Sequence, residues 1–391
     1  MTTRRMILTT GAAGVVILGG AGAFRLLHSD LGPARKPWRQ AGESFGDPRL
    51  DALSYAVLAP NPHNRQPWLI RLEGEDALTL FCDQSRLLPE TDPPNRQIVI
   101  GLGAFLELLR QAAAEAGYRL QTERFPLGEP QPVLDDRPIA HVRFIPDTDV
   151  LKDPLFGAAL DRRTVRIPYD QEQPVGGGVM GALGDALRPE DGAFAWSSDA
   201  TDVAAMKANC REAWEIEIGT TRTHRESTDL MRIGEHEVND NPDGISLAGP
   251  MMEAMRFVGI ITRDKINDTS SRAYQETLKF YNGLIDTSMA FGWLTTPSNS
   301  RTDQLNAGAG WVRLQLAATK AGLAMHPVSQ PLQEFPEMAE KLQEIHVLTG
   351  TPLPGDETDG RLQGLFRFGY AAYPAPAPRW PLASRIIDAD A

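Results

Sequence analysis

The sequence predicts an α+β fold built from two related halves in one chain. Three observations carry this expectation. The 391 residues, 42% hydrophobic and 23% charged, have an ordinary globular composition and are too many for one small core. Apolar runs of strand length alternate with longer helical stretches. Two helices also repeat each other at an offset of 205 residues: GAFLELLRQAAAEAG from Gly103 and GAGWVRLQLAATKAG from Gly308, identical at seven of fifteen positions. Their shared Gly-Ala start and Ala-Gly stop favour duplication over the chance likeness of Ala-rich core helices. A strand recurs after each, His141-Val-Arg-Phe and Leu365-Phe-Arg-Phe. The halves, 48–150 and 151–391, are expected to divide near Pro146 to Pro154 and to pack as an intrachain pseudo-dimer.

The chain opens Met1-Thr-Thr-Arg-Arg, and residues 6–24 then carry no charge and five glycines. Two arginines before a Gly-softened apolar run read as a twin-arginine export signal over 1–30, with Ala21-Gly22-Ala23 as a cleavage site. An uncleaved anchor with a basic flank is the other reading. Export implies a periplasmic or other extracytoplasmic location and makes the twin-arginine translocation machinery a partner. That route carries folded proteins, often ones loaded with a cofactor. No later segment is expected to span a membrane.

Residues 31–47, with Pro and Gly, read as a linker. A short helix is expected over Leu50 to Ala59, and strands over Trp68 to Leu72 and Leu78 to Cys82. A strongly apolar helix, Gln97 to Ala116, ends at Gly117. Strands follow at Tyr118 to Phe125 and Ile139 to Ile145. From Asp153 a second run begins, with a polar helical stretch over Val203 to Arg232 and an irregular charged stretch over Gly234 to Pro250. Helices are expected at Met251 to Ile261, Ser271 to Leu294 and Gln304 to Ala321. The last strand is Arg361 to Tyr370, and Pro374 to Pro381 forms an extended tail.

Composition excludes some functions. Asp and Glu number 51 against 39 Lys and Arg, a formal charge of −12, which argues against nucleic acid as a partner. Two cysteines, Cys82 and Cys210, cannot form a disulfide framework. No metal-ligand spacing, nucleophile elbow, P-loop or dinucleotide fingerprint is present in a fitting context. Catalysis would therefore rest on a bound cofactor.

Three segments could hold one. In Ala59-Pro-Asn-Pro-His-Asn-Arg-Gln-Pro-Trp68, three prolines stiffen a loop that presents the amides of Asn61, Asn64 and Gln66, groups suited to the edge of a heterocycle or to capping an ordinary turn. Asp161-Arg-Arg-Thr-Val-Arg166, at the end of a short helix, offers three arginines and a hydroxyl to an anion; a solvated basic helix end is the plain alternative. Arg379, between prolines in the tail, reads as a phosphate clamp or as a surface Arg stacked on Trp380.

These motifs resemble the nitroreductase superfamily of flavin enzymes. The loop is similar to its P-S-x-x-N-x-Q-P-W segment, Arg162 to Arg166 to its R-R-S-x-R segment, and Phe368-Gly-Tyr370 with Pro378-Arg-Trp-Pro-Leu382 to its closing strand and K-P-R-R-P-L tail. The double length and leader are similar to Acg-type members. The resemblance spans about residues 45 to 385. It implies a nitroreductase-like α+β fold with FMN between two halves. Arg162, Arg163, Thr164, Arg166 and Arg379 would hold ribityl, phosphate and pyrimidine groups. Asn61, Pro62, His63, Asn64 and Gln66 would contact the ring, and Pro327, Val328, Ser329 and Gln330 match the segment near its N5 edge. His63 and the Ala59-Pro-Asn start depart from the family, which favours Ser there.

The halves have lost opposite parts. Arg35-Lys36-Pro-Trp-Arg39 is a poor R-R-S-x-R, and nothing like Q-P-W stands in 185–198, so one FMN per chain is expected. The insert over about 217–250 suits a lid or a surface excursion. The expected activity is that of an FMN-dependent oxidoreductase. It would pass hydride from NAD(P)H or another donor to a small-molecule nitro, quinone or similar acceptor, with no catalytic side chain required and the protein acting as a monomer. FMN sequestration with little turnover is the first alternative. A non-catalytic pocket protein for an anionic ligand is the second.

Overall fold

The computed structural model describes residues 32–353 and 360–388. The leader expected over 1–30 lies outside the described residues. The expected linker is largely folded instead: Gly32–Arg35 forms a 3-10 turn and α1 (Lys36–Gln40) follows. Trp38 explains the difference. Its indole is buried and donates to Ala377 O at 2.8 Å, anchoring the segment against the tail.

The first half then follows the expected order. Asp47 caps α2 (Pro48–Ala56), with Pro48 in its first turn. β1 (Trp68–Glu73) and β2 (Ala77–Cys82) form a hairpin, α3 (Arg96–Glu115) is buried on nearly every face, and β3 (Tyr118–Arg124) and β4 (Ala140–Pro146) complete the unit. α3 is long and apolar enough to cross a membrane, contrary to the expectation that no later segment is, but it is a core helix. Both cysteines are buried and free.

The second half departs more. After α4 (Gly177–Gly184) comes β5 (Ala193–Ser197), which was not expected. The polar stretch expected over 203–232 is α5 (Ala200–Gly219) and α6 (Thr221–Asp229), broken where Thr220 turns extended, then β6 (Met231–Ile233). The stretch expected to be irregular holds α7 (Glu235–Asp240) and β7 (Ile245–Leu247), and α8 (Pro250–Phe257) and α9 (Arg263–Asn267) follow. The helix expected over 271–294 is two elements, α10 (Arg272–Asp286) and β8 (Ala290–Thr296). Residues 290–296 are apolar enough for either, and pairing on both sides within a sheet decides for strand. α11 (Arg301–Lys320), β9 (Ala324–Pro327), α12 (Ala339–Leu348), β10 (Arg361–Gly369) and β11 (Ile386–Ile387) complete the described chain.

The two large sheets repeat one plan. The first runs β11-β1-β2-β4-β3 and the second β5-β8-β10-β9. Setting β11 aside, the order is the same, every neighbouring pair is antiparallel, and a long helix, α3 or α11, follows the second strand of each. The turn at residues 74–76 in the first sheet is replaced in the second by residues 198–289. The second half also lends a segment to the first half's sheet, and its own residues 165–170 run alongside its own sheet. β11 pairs parallel with β1, Ile70 opposite Ile386. Val165 N donates to Met325 O at 3.1 Å and Asp170 N to Tyr370 O at 2.8 Å.

α3 and α11 cross backbone to backbone. A Cβ on Gly103 would sit 2.1 Å from Leu305 O, and one on Gly308 2.0 Å from Ile100 O. The Gly-Ala start of the repeat is therefore the crossing point of the two helices.

Candidate functional site

A cavity of about 480 Å³ lies where the halves meet. Its walls come from the 60–64 loop, the 162–167 segment, the 374–379 tail, residues 326–333 and the segment between β5 and β8. That volume is in the range of small-ligand sites.

The loop is held in a costly shape. His63, Asn64 and Gln66 have φ of 46°, 52° and 52°, the left-handed region, and Pro60, Pro62 and Pro67 fix the backbone between and around them. Such conformations persist where surrounding bonds enforce them. Gln66 N donates to Asn61 Oδ1 at 2.7 Å, Asn61 Nδ2 to Ala59 O at 3.0 Å, and Asn64 Nδ2 to Pro378 O at 3.0 Å. The three amides are thus engaged by protein. His63 is the exception: its Nδ1 is buried without a partner. Burial, with Arg166 and Arg65 nearby, pushes its imidazole down to about 4, so it is neutral at pH 7.

One end of the cavity is cationic. The guanidinium carbons of Arg163, Arg162 and Arg379 lie 4.9, 5.7 and 5.7 Å from the Trp38 ring centroid. Arg162 donates to Leu58 O at 2.7 Å and Gln315 Oε1 at 2.9 Å; Arg379 donates to Leu58 O and Ala59 O, both at 3.0 Å. Among the described residues no carboxylate pairs with Arg162, Arg163 or Arg379, and Nε of both Arg162 and Arg379 is buried without a partner. Burial, aided by Arg163, pushes Arg379 down to about 9; burial, with Arg379 and Arg163 beside it, pushes Arg162 down as well. Buried cations without counter-charge are costly, and an anion relieves that cost.

The corresponding place in the other half is closed. The loop before β5, residues 186–191, matches the loop before β1. There Arg110, Arg188 and Arg313 meet Glu107, Asp153 and Asp191: Arg313 reaches Glu107 at 2.8 Å, Arg188 reaches Asp191 at 2.8 Å, and Arg110 reaches Asp153 at 2.8 Å. Three cations and three anions neutralise one another, leaving no claim on a further anion.

Twelve of the expected residues line the cavity: Asn61, Pro62, His63, Asn64, Arg162, Arg163, Thr164, Arg166, Pro327, Ser329, Gln330 and Arg379. Two do not. Gln66 is buried behind the loop, donating to Pro242 O at 2.8 Å and accepting from Trp380 N at 2.8 Å, so it ties loop, insert and tail together. Val328 is a core residue whose N–H donates to Leu365 O. The expected short helix before Arg162 is only the 3-10 turn Phe156–Ala158, and 162–167 has no regular secondary structure, tied to β9 by Val165 N donating to Met325 O at 3.1 Å. Sequence reasoning missed Trp38, Trp214, Glu217, Tyr281 and Trp311. A tryptophan inside an apparent linker was the available signal for Trp38; nothing local marked Glu217.

The insert touches the site. Asp243, buried, accepts from Arg86 at 2.8 Å and Arg232 at 2.7 Å and faces Arg65 at 3.8 Å. Glu226 accepts from Glu90 N at 2.9 Å and Thr91 N at 3.0 Å, and Gly244 N donates to Asn64 O at 3.3 Å.

No protein-family model matches the chain. A Mycobacterium tuberculosis protein provisionally named NAD(P)H nitroreductase Rv3131 is 27% identical over 350 residues, covering 86% of this chain and 90% of that protein. Another from the same organism, provisionally named NAD(P)H nitroreductase acg, is 38% identical over 121 residues, 30% of this chain and 34% of that protein. The solved structure of a Bacteroides fragilis nitroreductase with bound FMN aligns at 14% identity and a TM-score of 0.32, covering 56% of this chain and 90% of the other.

Proposed function

We propose that the chain binds one FMN in this cavity, between halves arranged as an intrachain pseudo-dimer, and acts as an NAD(P)H-linked oxidoreductase. The observation that carries this is the cluster of Arg162, Arg163 and Arg379 around Trp38, the first and last buried and Arg163 half-buried, with no paired carboxylate among the described residues. It fits a phosphate, and the stiffened loop beside it fits a planar ring. Names of relatives and the motif resemblance point the same way. The division into 48–150 and 151–391, with residues from both on the cavity wall, agrees with the repeated sheet plan.

FMN, when bound, supplies a ring nitrogen that takes and gives hydride between a reduced nicotinamide and a nitro, quinone or similar acceptor. The chain's own part is to bind, orient and enclose. Arg162, Arg163 and Arg379 take the phosphate end, with Thr164 and Arg166 further along the same wall. Asn61, Pro62, His63 and Asn64 face the ring from the other half. Pro327, Ser329 and Gln330 border the remaining edge, Gln330 Oε1 accepting from Tyr281 Oη at 2.9 Å. The test is the colour of purified protein, the flavin released on denaturation, and anaerobic reduction by NADH or NADPH. Colourless protein that takes up no added FMN would leave only a binder of other anions.

The fastening of the insert over the loop favours a second reading, FMN storage with little turnover. Replacing Asp243 by alanine removes the carboxylate shared by Arg65, Arg86 and Arg232 and, at about 3–5 kcal/mol for a broken buried pair, frees the insert. The expected result is faster FMN release in a stopped-flow dilution. If storage is the function, NADPH reduces the flavin of Asp243→Ala but not that of the parent protein; equal reduction of both leaves the enzyme reading.

A further inference from the structure

Another part of the cavity wall holds a different chemistry from the Arg162, Arg163 and Arg379 cluster. Glu217, at the end of α5, lines the wall and is 2% exposed. Its carboxyl accepts from Gln333 Nε2 at 2.9 Å and Ser227 Oγ at 3.2 Å, and among the described residues no cation pairs with it. Trp214, one turn earlier, packs against Tyr281 with centroids 4.4 Å apart and the rings tilted by 33°, and its buried indole N–H has no acceptor among the described residues. Both rings line the same wall. The subsite therefore offers an aromatic face, an unused N–H and a carboxyl. That set suits a flat ligand whose own polar atoms are acceptor oxygens.

We propose that this part of the cavity is a subsite for a quinone-type acceptor and that Glu217 is its proton donor. The proposal rests on the flavin reading. In the step, the quinone gains a hydride from reduced flavin and a proton from the Glu217 carboxyl, so two electrons and two hydrogens make one hydroquinone. The O–H bond of Glu217 breaks, its carboxylate keeps the Ser227 and Gln333 bonds and faces Arg166, and solvent returns the proton.

Burial favours the protonated form of Glu217. Burial raises its carboxyl above the usual range, and the bonds from Gln333, Ser227 and Gln330, with Arg166 nearby, offset only part of this. Arg166 and Tyr281 face it electrostatically, and His224 of α6 lines the same wall. Burial pushes the Tyr281 hydroxyl up to about 12 and His224 down, so neither loses a proton as pH rises through neutrality. Loss of the Glu217 proton is therefore expected to appear as a limb on quinone reduction as pH rises.

The test uses FMN-loaded protein reduced with dithionite and mixed anaerobically with menadione. Glu217→Gln should keep its affinity for FMN and for menadione, lower the rate of menadione reduction by about 10²–10⁴-fold, and lose the alkaline limb. Infrared difference spectra give a second readout on the unaltered oxidised protein: menadione should shift a protonated carboxyl band that Glu217→Gln lacks. An unchanged rate and pH profile in Glu217→Gln, or no carboxyl shift on menadione binding, overturns the proposal. If Glu217→Gln does not fold, the infrared shift on the unaltered protein decides. A protein that takes up no FMN refutes the flavin reading; one that binds FMN but shows neither effect refutes only this one.

Discussion

Arg379→Met is expected to weaken FMN binding by about one to two decades, read as Kd from quenching of flavin fluorescence. Charge-assisted hydrogen bonds contribute about 1.5–3 kcal/mol each, and about 1.4 kcal/mol is a decade. The guanidinium also holds the tail through Leu58 O and Ala59 O, so part of any loss is structural. Arg379→Lys separates the two contributions. It keeps the charge beside Trp38 and gives up the forked geometry, so its Kd should fall between those of the parent and Arg379→Met. A Kd for Arg379→Met equal to that of the parent would remove the tail from the anion site.

Gly308→Val is expected to cost about 3 kcal/mol or more in urea unfolding, at or above the top of the usual range for overpacking. The new Cβ would lie 2.0 Å from Ile100 O and 2.7 Å from Ala104 N, both backbone atoms of the facing helix, so no side-chain rotation relieves it. The halves would have to separate at their crossing point, and the cavity spans the same junction. Gly283, inside α10, is the control, because a methyl group added there meets nothing within 4 Å. Gly283→Ala should be neutral or stabilising by about 0.5–1 kcal/mol, the usual gain for a helix interior. Equal effects at the two glycines would contradict the close crossing.

The parts of the site that were legible in the sequence are those whose chemistry is local. Pro60, Pro62 and Pro67 announce a stiff loop whatever the rest of the chain does, and three arginines within 162–166 announce an anion preference. The repeat was legible because close helix crossing constrains residue type: Gly103 and Gly308 have no substitute at that separation. Gln66 and Val328 were misplaced for the opposite reason. A motif gives order along the chain, but which face of a bend points into a cavity depends on tertiary contacts, here Pro242 and Trp380 around Gln66.

The second half was less legible. Residues 290–296 have the apolar character of either a helix or a buried strand, and only β5 and β10 on its two sides settle the matter. Trp38 lay in a Pro- and Gly-containing stretch that looked like a linker until its burial under the arginines was seen. Glu217 is one acid among many in a polar helical stretch, and its burial arises when α6 and residues 330–333 close around it.

The most direct test of the central claim is a count of flavin. Purified protein saturated with FMN, freed of excess by gel filtration and then denatured, should release one FMN per chain. The Arg162–Arg163–Arg379 end of the cavity would hold it, while the paired network of Glu107, Asp153 and Asp191 keeps the counterpart place closed. No retained flavin, or two per chain, would contradict that.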